Sequence, residues 1–302
     1  MKEKKPKPPR NNTVIWHCHM GGDPNPKGGG IMKQMRNFMG AYILAQERHA
    51  HLYKGNLSYE STDNTEGGCN APLELMVDID AIPDLQDMLV EQPIGEHIGV
   101  PCEPCDALTW TDNRTAAFKL ARKAFKVSKR LRALVPQTLC PPEVCVCLHS
   151  RLEEDFVKVF GKVLAGSADH IARAMTKHVE AGGFGNATIL YVAGQQQIDS
   201  YRSIPQFTEV TNKPDYPFLR PFEKALIDLQ ICQNAMFHVG TSRSIFDEWI
   251  SEERLLKKRT RSWDYLENHV NATRGLNEFR LVANHGFTMA DVHDKNNIKE
   301  ET

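Results

Sequence analysis

The feature that most limits what this chain can fold into is an alternation: apolar runs of strand length, then turn-rich loops, then apolar residues at helical spacing. Thr13–Met20 (TVIWHCHM) is β-branched and aromatic at its start and reads as a strand. The loop Gly21–Gly30 (GGDPNPKGGG) follows, and then Met32, Met35, Phe38, Met39, Tyr42 and Ile43 predict an amphipathic helix to about Arg48. After Pro141–Pro142 the series restarts. Val144–His149, Ala187–Ala193 and Ala235–Gly240 read as strands. Between and after them the spacing predicts helices over Ala168–Val179, closed by Gly182–Gly183, over Phe222–Leu229, and over Ser244–Leu256. Such alternation dictates parallel sheets with helices on both faces. The expectation is an α/β chain of two doubly wound domains, 13–140 and 141–290, with a disordered leader at 1–12 and a polar tail at 291–302. A length of 302 residues suits two domains.

Elsewhere the pattern is weaker. Residues 54–75 and 92–113 read as loop, with short elements at Leu73–Val77 and Met88–Glu91 around VDIDAIPDLQ. Leu120, Ala124, Val127, Leu131 and Leu134 predict one further helix. Its basic face, including Lys119, Arg122, Lys126 and Arg130, reads as solvated surface. Lys and Arg total 37 against 38 Asp and Glu, a balance that excludes a dedicated nucleic-acid binder. No apolar run reaches the roughly 18 residues of a membrane span.

Three strand ends carry candidate chemistry. Val144–Phe156 (VCVCLHSRLEEDF) ends a buried strand on His149, Ser150 and Arg151, with Asp155 following. Ligands of open α/β sheets bind outside the carboxyl ends of strands, and the planar guanidinium of an arginine matches phosphate oxygens. An Arg151–Asp155 ion pair that merely ties down the loop is the plain alternative. His238–Phe246 (HVGTSRSIF) places Thr241, Ser242 and Ser244 at a helix start. There the unpaired N–H groups and the helix dipole favour an anion, although N-capping alone also explains the hydroxyls. Gly28, Gly29 and Gly30 let the backbone approach a ligand closely, but they match neither a G-x-G-x-x-G nor a P-loop spacing.

Together these stretches resemble the protein O-fucosyltransferase branch of the fucosyltransferase superfamily. GGGIMKQMRNFMGAYILAQ (Gly28–Gln46) resembles its first glycine-loop motif, with Gln34 and Arg36 kept. VDIDAI (Val77–Ile82) is similar to its F-D-V-D segment, and LHSRLEEDF (Leu148–Phe156) to its L-H-x-R-x-x-x-D-F motif. LYVAG (Leu190–Gly194) and Ile227–Arg254 resemble its later segments. The resemblance implies a GT-B fold, two Rossmann-like domains facing a cleft, and inverting, metal-independent transfer of fucose from GDP-fucose. It implies no cofactor, a nucleotide sugar and a protein or glycan acceptor as partners, and no nucleic acid. It assigns Arg151 to the β-phosphate and His149 to seating the nucleotide sugar. Thr241, Ser242, Ser244 and Phe246 line the phosphate segment, and Asp228 and Asp155 position the base or brace the loop. Gly28–Gly30 and Arg36 line the donor site from the first domain. Asp23 is the best-placed carboxylate for a general base. Two departures, Met32-Lys33 and Ile245, replace polar family positions. They keep open a catalytically impaired nucleotide- or glycan-binding homologue, and a transferase using another nucleotide sugar.

The eight cysteines are dispersed and do not form a small disulfide framework. Cys102 and Cys105 read as a disulfide or plain loop cysteines. Cys145 and Cys147 share a strand face with His149 and read as buried thiols beneath it. His17, Cys18, His19, His49, His51, Asp78 and Asp80 read as packing or surface residues, and no metal site is expected. Asn-x-Ser/Thr occurs at Asn11, Asn56, Asn113, Asn186 and Asn271, whereas 17 Asn and 27 Ser and Thr in 302 residues give about 1.5 by chance. The excess favours a secretory history (ER or Golgi lumen) if an N-terminal anchor has been lost, and cytoplasm otherwise. Asn186, just before a buried strand, reads as the accidental one.

Overall fold

The computed structural model describes residues 9–11, 13–17, 31–54, 56–59, 69–75, 78–81, 85–91, 96–100, 126–152, 168–194, 198–241, 244–257, 262–265 and 277–278. The chain divides into two compact units, Met1–Ser128 with Ala283–Thr302, and Lys129–Val282.

In the first unit, β1 (Thr13–His17), β2 (His51–Tyr53), β5 (Leu89–Val90) and β6 (Glu96–Val100) form a parallel sheet of order β5-β2-β1-β6. Helix α1 (Ile31–Glu47) connects β1 to β2, and its apolar stripe, including Met35, Phe38, Met39 and Tyr42, is buried. Two expected loops hold structure. β3 (Asn56–Tyr59) and β4 (Cys69–Pro72) pair antiparallel in the first. In the second, β6 pairs along the whole of β1, from Thr13 opposite Glu96 to His17 opposite Val100. Neither strand has a local signature, because what holds them is cross-strand pairing with distant sequence. α2 (Leu85–Met88) is a single turn before β5.

In the second unit, α3 (Lys129–Ala133) is short. The helix expected across 120–134 does not run through Val127 and Ser128. Both are buried in non-helical backbone, and the carbonyl of Lys126 accepts from the Asp78 N–H instead. The main sheet comprises β7 (Cys145–His149), β8 (Ile189–Ala193), β9 (Glu209–Thr211), β10 (Phe237–Gly240), β11 (Ser262–Asp264) and β12 (Asn277–Glu278). Its order is β12-β11-β10-β7-β8-β9, parallel throughout except for β12. The chain moves outward from β7 to β9, then crosses back to place β10 on the other side of β7. That is the doubly wound order, with its switch point between β7 and β10.

Every side chain of β7 is buried, as a strand covered on both faces requires. Val146 and Leu148 enter a cluster with Ile171 and Met175 of α4 (Ala168–Glu180), with Phe237 and Val239 of β10 beside them. The alternate residues face α5 (Pro221–Asn234), where Cys147 is disulfide-bonded to Cys232. Cys145 is bonded to Cys140. The two expected thiols are therefore disulfides. The one spanning 85 residues contributes about 4.6 kcal/mol in chain-entropy terms. Arg254 of α6 (Ile245–Leu256) is fully buried, and its guanidinium donates to the carbonyls of Cys232, Ala235 and Met236 at 3.2, 2.5 and 2.8 Å. It thereby satisfies the carbonyls at the end of α5 just before β10 begins.

Candidate functional site

The switch point brings His149, the last residue of β7, and Arg151, just after it, next to Thr241, Ser244 and Phe246, after β10. The register sets this: Val146, Cys147 and Leu148 lie opposite Phe237, His238 and Val239, so the two strands end level. Arg151 keeps partial exposure, whereas Ser150, Thr241 and Ser244 are fully buried. The Arg151 guanidinium donates to Ser244 Oγ at 3.2 Å, and its backbone N–H donates to the Tyr265 hydroxyl at 3.3 Å. Tyr265 itself is anchored by its N–H on the Gly240 carbonyl at 2.9 Å. Burial, with the charge of Asp247 beside it, pushes the Tyr265 hydroxyl well above its ordinary pKa, so the anchor is a neutral phenol. Ser150 is fixed in turn by Tyr201, Oγ to hydroxyl 2.6 Å. Burial raises the Tyr201 hydroxyl to about 12 against the opposing pull of the Ser150 hydrogen bond. A permanently charged fork is thus held at the carboxyl end of β7, beside the N-terminus of α6.

Under this fork lies a buried group that the sequence pattern did not reveal. Asp247, in the first turn of α6, is fully enclosed. Its carboxylate contacts His149 Nδ1 at 2.9 Å and His238 Nε2 at 3.0 Å, and accepts the Thr241 N–H at 3.0 Å. Burial pushes its carboxyl up, but His149 and His238 outweigh that and hold it at about 2. His238 is lowered by burial, against the pull of Asp247. The Phe246 ring lies against His149 with centroids 4.6 Å apart, so the imidazole is oriented from two sides. Gly240 is required here. A Cβ at that position would stand 2.3 Å from Asp247 Oδ1. The signal available in the sequence was an Asp three residues after Ser244, in a first helical turn where a carboxylate suits the dipole.

Asp228 sits on α5, one strand over. It accepts from the Tyr191 hydroxyl at 2.5 Å, from the Gly194 N–H at 3.2 Å and from Lys213 Nζ at 2.5 Å. Gly194, with φ +98°, turns the chain at the end of β8. Arg36 lies on α1 of the other unit. Asp23, Gly28, Gly29, Gly30, Asp155, Ser242, Cys102 and Cys105 lie outside the described residues. Among the described residues, no group of three or more His, Cys, Asp or Glu is placed to hold a metal ion. No helix among them is long and apolar enough to cross a membrane.

No protein-family model matches the chain, and no curated protein matches it. Solved structures do. POFUT1, the GDP-fucose protein O-fucosyltransferase, in complex with GDP matches at TM-score 0.55 and 13% identity, over 83% of this chain and 97% of that one. Its apo form matches at 0.56 and 14%, over 86% and 99%. Its complex with GDP-fucose matches at 0.55 and 14%, over 82% and 95%. At such identities the likeness concerns the fold, and it falls on the family that the sequence motifs resemble. The chain has the α/β fold of POFUT1, a GT-B enzyme.

Proposed function

We propose that the chain is a glycosyltransferase that moves fucose from GDP-fucose to a hydroxyl of a protein or glycan, with inversion and without a metal or cofactor. The observation that carries this reading is Arg151. It is a partly exposed guanidinium, aligned by Ser244 and Tyr265 at the switch point of a doubly wound sheet, in a chain sharing its fold with a GDP-fucose-binding protein. As the bond from fucose C1 to the β-phosphate breaks, GDP gains charge on that phosphate. A fixed cation and the positive end of α6 stabilise it more than they stabilise the intact donor. His149, oriented by Asp247 and Phe246, seats the nucleotide sugar, and Asp228 positions the base or braces the loop. Asp23 is the candidate general base. The two disulfides and the five glycan-acceptor patterns favour the secretory pathway as the compartment.

The test is calorimetric GDP binding and GDP release from GDP-fucose with an acceptor, for the natural chain and for Arg151→Ala. The expected result is GDP binding by the natural chain and turnover lowered about 100-fold or more by the substitution. A natural chain that binds no GDP overturns the reading. Binding without turnover on any acceptor points to an impaired homologue, for which Ile245 in the phosphate segment is the specific argument. Preference for a UDP-sugar points to another donor.

A further inference from the structure

We infer that Asn186, in Asn186-Ala187-Thr188, is an N-glycosylation site. The sequence position, just before a buried strand, argues against it, and the structure reverses that argument. Asn186 and Thr188 are both exposed, and only Ala187 between them is buried. They lie on the turn between α4 and β8, where Gly182 and Gly185 carry φ of +79° and +54°. Gln206 clamps this turn from the strand side, its Nε2 donating to the Gly185 carbonyl at 3.0 Å and the Ala187 carbonyl at 2.8 Å. The backbone is thereby fixed while the acceptor side chain stays at the surface. By contrast, the Asn11 amide already donates to the Arg48 carbonyl at 2.7 Å.

Two observations favour a compartment where this modification occurs. Two disulfides imply an oxidising compartment, and the acceptor patterns exceed chance about threefold. Geometry also makes the site compatible with the candidate chemistry. Asn186 stands before the amino end of β8, whereas Arg151 and His149 lie at the carboxyl ends of the strands. Five residues of strand separate the two levels, about 16 Å at ~3.3 Å each. In the transfer, Asn186 Nδ2 bonds to C1 of a polyprenyl-diphosphate-linked oligosaccharide. The C1–O bond to the diphosphate breaks, the lipid diphosphate leaves with the electron pair, and the amide loses one proton.

The inference shares with the proposed function only the secretory route, not the donor, so the two fail separately. The test is expression of the full chain behind a secretory signal in eukaryotic cells, with recovery from the lumen or medium. Peptide-N-glycosidase in heavy-oxygen water should convert Asn186 to Asp bearing one heavy oxygen, read by peptide mass spectrometry. Asn186→Gln and Thr188→Ala should each remove one glycan's worth of mass, Thr188→Ser should retain it, and GDP affinity of Asn186→Gln should stay within twofold. Recovery of unmodified Asn186 from secreted, disulfide-bonded chain overturns the inference.

Discussion

Asp247 and Asp228 are both carboxylates enclosed near the carboxyl ends of neighbouring strands, and both are held by three donors, yet their partners differ in kind. Asp247 is held by two imidazoles and a backbone N–H, and one of those imidazoles, His149, lies at the fork that carries Arg151. Asp228 is held by a lysine, a phenol and the backbone N–H of Gly194. The first set reaches into the candidate site through His149. The second ties α5 to the turn after β8. The difference separates a carboxylate that orients site chemistry from one that fastens a loop.

The largest effect should come from Asp247→Ala. Removal of one member of a buried charged cluster strands its partners, here two histidines and the Thr241 N–H, at a cost of about 3–5 kcal/mol. Urea unfolding measures this, and a loss under 1 kcal/mol would break the comparison by showing that the two histidines find other partners. Asp247→Asn is the gentler variant. It keeps the volume but supplies an amide in place of one acceptor oxygen. The expected result is a folded chain with GDP affinity reduced at least tenfold, because His149 loses its orienter.

Acid should probe the same contrast at a smaller magnitude. Asp247 is held at about 2 in the fold against 3.8 ordinarily. Its stabilisation is present above pH 3.8 and is lost as pH falls through 2, about 2 kcal/mol in all. His238 is lowered by its burial, so it also stabilises above its ordinary 6.5 and withdraws that contribution as pH falls below it. Stability measured by urea midpoint should therefore decline in two stages, one beginning below 6.5 and one below 3.8. His238→Gln should shrink the upper stage, to which the half-buried His178 also contributes, and shorten the lower one, because one of the two imidazoles that hold the Asp247 carboxyl down is gone. A chain equally stable at pH 7.5 and pH 5 would show that His238 is not the buried neutral base the geometry makes it.

How much of this was legible in residues depends on range. α1, α4, α5, α6 and strands β7, β8 and β10 follow from local periodicity, because each buries a stripe or a strand face encoded within it. Arg151 and Ser244 could be named because a strand end and a helix start are local signals. Asp247 could not, since its meaning comes from His149, 98 residues earlier, and from a glycine whose missing Cβ makes room for it. β6, β11 and β12 were equally silent. Each is short and held by pairing with a distant strand rather than by its own composition. Cys147 beneath His149 was misread for the same reason, since Cys232, its partner, lies on a helix that only the fold brings near, whereas Cys140, the partner of Cys145, stands five residues away.

Lys213→Met should have the smallest effect and sharpens the comparison most. Lys213 is 14% exposed and Asp228 4%, so water screens the pair little, and losing one charged hydrogen bond should cost about 1.5 kcal/mol. Asp228 keeps the Tyr191 hydroxyl and the Gly194 N–H, two donors that suffice to hold one carboxylate. If Asp228 only fastens the turn, GDP affinity should remain within twofold while hydrogen exchange at the Gly194 amide quickens. If GDP affinity falls tenfold or more with little loss of stability, Asp228 faces the ligand, and the lysine serves to aim it. The two carboxylates would then be partners in one site, with Asp228 released from its lysine when the nucleotide arrives.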